Sequence, residues 1–225
     1  MSCPLKNMSR TNVAVVVLVL ILLVDQVSKI LVKTNMSLHE SITIFSWFKI
    51  LFIENNGMAY GMEIGSKMLL SLLRVLLIGI LGLYLIREIR AEARWGYVIC
   101  LVLIVGGAIG NMIDGMFYGL IFEESTPYTQ ASLVGFGDGY STFLMGKVVD
   151  MLYFPIIHTT RPEWVPMVGG DEFIFFSPVF NIADSCISVG VVILLIWYRK
   201  ELSQLSLSKV LGRQKEDGVQ QNDNK

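Results

Sequence analysis

Residues 13–33 read VAVVVLVLILLVDQVSKILVK. Every residue from Val13 to Val24 is apolar, and the run resumes after a short polar interruption. A helix needs roughly 20 mostly apolar residues to cross the hydrocarbon of a bilayer, and this stretch supplies them. The interruption holds Asp25, Gln26, Ser28 and Lys29. Asp25 and Lys29 are four apart and share one helical face. Charges at that depth are expensive in lipid and functional by default. Lys6 and Arg10 precede the run, as they would in a cleaved signal peptide, but no small-residue cleavage site follows it. The stretch therefore reads as a retained membrane span.

Three more stretches qualify: 67–87, 96–120 and 179–198. The fold expected is an all-α integral membrane protein with four transmembrane helices and a small β-rich platform outside the membrane. Bulk composition agrees. Of the 225 residues, 53% are hydrophobic and 16% charged, against about a quarter charged in soluble domains. Mean hydropathy is +0.59. The net charge of −1 offers nothing to nucleic acid. Arg87, Arg90 and Arg94 crowd the loop between the second and third spans, and Arg199, Lys200, Lys209, Arg213 and Lys215 follow the fourth. Basic loops stay inside, so both termini are expected in the cytoplasm, with 34–66 and 121–178 outside.

The outer stretch 41–53 (SITIFSWFKILFI) is rich in β-branched and aromatic residues, and Asn55-Asn56-Gly57 follows as a turn signal. This is the expected platform. Residues 1–205 make one membrane domain, and the polar tail 206–225 has no means of burying a core. Cys3, Cys100 and Cys186 have no metal-ligand spacing, and His39 and His158 stand apart. No metal and no cofactor are expected.

Helix rise places the embedded polar groups. Asp25 and Lys29 lie roughly 18 and 24 Å from the inner end of the first span. Asn111 and Asp114 lie roughly 22 and 27 Å along the third. Asp184 sits about 7 Å below the outer end of the fourth span, and Arg74 roughly 10 Å below that of the second. All fall in the outer half, and nothing comparable marks the inner half. Asn111 with Asp114, and Asn181 with Asp184, are three apart, so each amide stands beside a carboxylate on one helical face. Asp25 with Lys29 reads equally well as a structural ion pair. Asp150, in the apolar run 148–154, reads by itself as a surface aspartate.

Taken in order, these segments resemble the lipoprotein signal peptidase family, also called signal peptidase II. The matching segments are Asp25-Gln26-Val27-Ser28-Lys29, Asn55-Asn56-Gly57-Met58-Ala59-Tyr60-Gly61, and Gly106 to Asp114. Val148-Val149-Asp150 and Phe180-Asn181-Ile182-Ala183-Asp184 complete the set. The resemblance implies a four-helix fold with an extracytoplasmic β-cradle in the bacterial inner membrane. It implies a metal-independent aspartic endopeptidase acting on diacylglyceryl-modified prolipoproteins, cutting before the lipidated cysteine. Asp150 and Asp184 would be catalytic. Asp25, Lys29, Asn55, Asn111, Asp114 and Asn181 would hold the site or the substrate. Lipid and prolipoprotein are the expected partners of a monomer.

Two departures stand out. The family places Arg directly after the third-helix Asp, and here Gly115 stands there; Arg74, at similar depth, is the expected substitute. The intervals between Asp114, Asp150 and Asp184 are also wider than is usual for the family. The extra residues, about 121–146 and 158–172, suit either a lid or partner site or a plain surface elaboration. Two rival classes share intramembrane polar residues: a proton-coupled transporter and a non-catalytic assembly factor. Four spans without an inverted repeat argue against transport.

Overall fold

The computed structural model describes residues 9–56, 67–155, 157–160, 172–175 and 178–203. The 57–61 part of the second motif, the 161–171 part of the second outer insertion and the tail 206–225 lie outside the described residues.

Among the described residues, three helices are long and apolar enough to cross a membrane: α1 (Arg10–Asn35), α2 (Lys67–Arg90) and the stretch Trp95–Ile121. The last is composite. It runs as α3 (Trp95–Ile113), widens into a π-helical turn over Asp114–Tyr118, and closes with α4 (Gly119–Ile121). Insertions of this kind cluster at functional sites. Much of α1 and α2 is apolar and outward-facing: Val15, Leu23, Leu69 and Leu83 are each about half exposed or more. That surface suits lipid.

The fourth expected span is corrected in extent. The chain enters as the short strand β6 (Val179–Phe180), and the helix α5 covers only Ile182–Trp197, followed by α6 (Arg199–Ser203). Asn181 stops the strand and starts the helix. Its side chain accepts from Asp184 N, and Asp184 accepts from Asn181 N, which satisfies two end groups that a helix otherwise leaves open.

The expected β-rich part is present as a small sheet. A four-stranded antiparallel sheet runs in the order β1-β2-β3-β6, with β1 (Ser41–Phe45), β2 (Phe48–Asn55) and β3 (Val148–Tyr153). The stretch 41–53, expected as a strand-rich run, folds as a hairpin that turns at Ser46-Trp47. Asn55, the first residue of the turn signal at 55–57, is the last residue of β2. The strands that extend the hairpin come from far along the chain: β3 pairs with β2, and β6 adds to β3 at the edge. Aromatic rings line the sheet: Phe45 stacks on Trp47, and Phe48 on Phe154, which in turn stacks on Phe180. A separate hairpin pairs β4 (Ile157–Thr160) with β5 (Glu172–Phe175).

Glycine sets the helix spacing where it matters. α3 packs most closely on α5 and α1. A Cβ on Gly107 would stand 2.3 Å from the Ala183 carbonyl oxygen, and one on Gly110 would stand 2.6 Å from Asp25 Oδ2. Neither space admits a methyl group. At the far end of α2 and α3 the Tyr84 and Tyr97 hydroxyls meet at 2.7 Å beside the buried Glu88. Glu88 lies one residue past the expected second span, where no buried ionisable group was expected.

Candidate functional site

Six elements deliver polar side chains to one place: α1, α2, the α3 stretch, α5, β2 and β3. The buried layer comes first. Asp25, Lys29 and Asp114 are all 0% exposed. Lys29 Nζ lies 2.9 Å from Asp25 Oδ2 and 2.9 Å from Asp114 Oδ2, and it donates to Asn111 Oδ1 at 2.9 Å. Asp25 also accepts from Ala183 N at the start of α5, and Asp114 accepts from Val149 N of β3. Gln26 donates to both carboxylates, at 3.1 and 2.9 Å, and accepts from Tyr118. A buried charge is tolerated when it is paired and hydrogen-bonded, and here every member is. The triad therefore ties α1 and α3 to the entry of α5 and to β3.

The second layer stands on the first. Asn111 accepts from Lys29 on its oxygen and donates through Nδ2 to Asp184 Oδ1 at 2.7 Å. Asn181, fully buried, does more. Its oxygen accepts from Asp184 N at 2.9 Å, while its amide donates to Asp150 Oδ1 at 2.8 Å and to Asn111 Oδ1 at 3.0 Å. One asparagine side chain thus joins the Asp150 carboxyl to the Asp184 backbone N–H. Asn55, at the end of β2, donates to Asp150 Oδ2 at 3.2 Å. The pairing of β2 with β3 sets Ile53 opposite Asp150, and side chains two apart share a face, so Asn55 lies diagonally across from it.

Asp150 is not a surface aspartate. It is 4% exposed, on a central strand. Burial, and next the charge of Asp184, push its carboxyl up to about 7 from an ordinary 3.8, against the pull of the Asn55 and Asn181 hydrogen bonds. Asp184 lies in the first turn of α5, where it accepts from Asn111 and from its own N-cap.

Both carboxyl groups line a cavity of about 500 Å³, together with Asn55, Asn111 and Arg74. The rest of the wall is graded. On α2, Arg74 is followed by Leu77, Ile78 and Leu81; on α3, Asn111 is preceded by Ala108 and Ile104; on α5, Asp184 is followed by Ile187. Each series runs along one helical stripe away from the sheet. The cavity is therefore ionisable at the sheet end and apolar below it. Arg74 lines the cavity with Asp184, and the two charges act on each other. Gly115 leaves open space where a side chain would begin.

The site gathers Asp25, Lys29, Asn55, Arg74, Asn111, Asp114, Asp150, Asn181 and Asp184 into one connected region. Sequence reasoning missed Gln26, whose polarity beside Asp25 in an apolar run was the available signal. It also missed a second buried cluster, in which Lys33 pairs with Glu54 and both bond Ser125. There Glu54 is the neighbour of Asn55 in the quoted motif.

Residues 17–200 match the family model for signal peptidase (SPase) II. The lipoprotein signal peptidase of Porphyromonas gingivalis (strain W83) is 47% identical over 203 residues, covering 89% of each chain. That of Amoebophilus asiaticus (strain 5a2) is 34% identical over 196 residues, covering 82% of this chain and 77% of its own. Among solved structures, a bacterial membrane enzyme determined by the in meso method matches with a TM-score of 0.56 at 23% identity. It covers 87% of this chain and 93% of that one, a likeness of fold. The chain belongs to the signal peptidase II family.

Proposed function

We propose that the protein removes signal peptides from diacylglyceryl-modified prolipoproteins, cutting before the lipidated cysteine, with Asp150 and Asp184 as its catalytic pair. The observation that carries this reading is the pair of carboxyl groups at the ionisable end of an apolar cavity, held from one residue: the Asn181 side chain donates to the Asp150 carboxyl and accepts from the Asp184 backbone N–H, while its own backbone N–H donates to the Asp184 carboxyl. Hydrolysis of a peptide bond needs a base to take a proton from water and an acid to give one to the departing amine. Two neighbouring carboxyl groups supply both when they share a proton. Asp150, pushed up to about 7, suits the protonated partner. Asp184, whose carboxyl accepts from Asn111 and from the Asn181 backbone N–H, is then the partner that takes the water proton. As a pair they exchange these roles between the two halves of the reaction.

The neighbours have supporting parts. Asn55 and Asn181 orient Asp150, Asn111 orients Asp184, and Asp25, Lys29 and Asp114 hold the frame. Arg74 offers a cation to the substrate's carbonyl groups or lipid head. The graded wall suits the substrate: acyl chains or apolar signal residues lie along Leu77, Leu81 and Ile104 while the scissile bond reaches the carboxyl groups. In this reading the chain crosses the inner membrane four times, with α5 extended by its flanking residues, both termini in the cytoplasm and the site at the outer face.

The test is cleavage of a lipid-modified prolipoprotein by the purified protein in detergent, with chelator present throughout. Cleavage at the lipidated cysteine supports the reading. No cleavage under those conditions, or equal cleavage of the unmodified precursor, opposes it.

A further inference from the structure

Asn55 hangs its amide on Asp150, yet the pairing of β2 does not by itself guarantee its register there. β2 sets Ile50 opposite Leu152, then shifts, so that Ile53 stands opposite Asp150. A slip of one residue sends every later side chain to the other face of a sheet. The stretch Ile53 to Asn55 therefore needs an anchor of its own beyond the shift.

Glu54 is that anchor. It alternates with Asn55 and so addresses the opposite face. Its side chain is 3% exposed and pairs with Lys33 of α1, whose side chain is fully buried. Ser125 Oγ accepts from Lys33 Nζ at 2.7 Å and donates to Glu54 Oε1 at 2.7 Å. Lys147 Nζ lies 3.2 Å from Glu54 Oε2. The Tyr140 ring stands 5.1 Å from the Lys33 ammonium and 5.3 Å from that of Lys147, and its hydroxyl accepts from Lys147 N at 2.6 Å. Ser125 and Tyr140 belong to the first long outer insertion. The same insertion reaches α2, where Ser71 Oγ donates to Leu144 O and Lys67 Nζ to Met145 O. None of Lys33, Glu54, Ser125 and Lys147 lines the cavity of Asp150 and Asp184.

We infer that the Lys33–Glu54 pair, completed by Ser125 and Lys147, is a positioning device that locks the end of β2 in register and so holds Asn55 on Asp150. It makes the insertion after α4 a working part of the site. Asn55 contacts the reacting carboxyl; Glu54 acts only through Asn55 and the strand. This rests on Asp150 being a reacting group, as proposed above.

The test uses the full-length protein with a lipid-modified prolipoprotein, reading kcat and KM separately and thermal unfolding alongside. Removing one partner of a buried ion pair strands the other charge, whereas replacing both with apolar side chains removes that cost. The double variant Lys33→Met with Glu54→Met is therefore expected to melt near the parent. Its kcat is expected to fall on the order of 100-fold with KM little changed, the cost of misplacing a reacting group by about an ångström. Parental kcat in a stable double variant would overturn the inference and leave the network a purely structural one. Should the double variant fail to fold, Ser125→Ala leaves the ion pair charged and carries the test. A several-fold drop in kcat at unchanged KM then supports the device, and unchanged kcat overturns it. Full cleavage by Asp150→Asn would instead sink the site assignment, whatever the Glu54 variants do.

Discussion

Removing the Lys29 ammonium is the most informative test of the buried frame. Lys29→Met keeps the length and much of the volume of the side chain but leaves Asp25 and Asp114 facing each other at 0% exposure. Each of the two ion pairs closes at 2.9 Å. At an effective dielectric of about 20, each attraction is about 6 kcal/mol, most of it offset by the cost of taking the charges out of water. What a single deletion leaves is an uncompensated buried charge, a loss of about 3–5 kcal/mol. For a chain of this size the melting temperature should fall by roughly 6–20 °C. Thermal unfolding in detergent, followed by tryptophan fluorescence, reads this directly. Adding Asp25→Asn and Asp114→Asn should recover most of the loss, since the amides still accept from Ala183 N and Val149 N. A Lys29→Met protein that melts with the parent would refute a charged triad. A triple variant no better than the single one would assign the loss to packing.

Arg74→Ala is expected to lose cleavage by more than its loss of folded protein, and Gly115→Arg, placed where the structure leaves open space, is expected to restore part of it; full activity of Arg74→Ala would end the substitution idea. The Asp150 carboxyl keeps its proton in the folded state up to about 7, while the unfolded chain gives it up near 3.8. Unfolding between those values releases a proton, so this group's contribution to stability is greatest at low pH and declines by about 1.4 kcal/mol per unit as pH rises towards 7. The difference in stability between the parent and Asp150→Asn, measured by thermal unfolding from pH 4 to 8, should show that decline and then flatten; a flat difference throughout would contradict it. In intact cells, a cysteine at position 138 should react with an impermeant reagent from outside and one at position 90 should not; the reverse labelling would overturn the orientation.

Much of the frame was legible because its signals are local. The apolar runs mark α1, α2 and the α3 stretch, and the four-residue spacing of Asp25 and Lys29 puts both on one face. The Asn181-to-Asp184 spacing carries a capping box in its own right. The hairpin turn was not legible, because Ser46-Trp47 has none of the glycine, proline or asparagine that usually punctuates a turn. The burial of Asp150 was hidden for a different reason. It depends on β3 pairing with a β2 strand almost a hundred positions earlier, and no local pattern reports a non-local pairing. Lys33 was hidden by its place at the end of a span, where a lysine ordinarily reaches for the lipid surface. Here it turns inward to Glu54 and Ser125, the latter from an insertion whose sequence names no partner.

The central claim is that Asp150 and Asp184 form one catalytic unit. It is tested most directly by cleavage and binding of a lipid-modified prolipoprotein by Asp150→Asn, Asp184→Asn and the double variant. Asparagine keeps the shape of the side chain and can neither take a proton from water nor share one. Each single variant should bind substrate yet lose cleavage, and the double variant should lose no more than either, because groups that act as a unit do not add. Asp138→Asn, on the exposed insertion, should cleave like the parent. Substantial cleavage by either Asp150→Asn or Asp184→Asn would contradict the account and turn attention to Asp114.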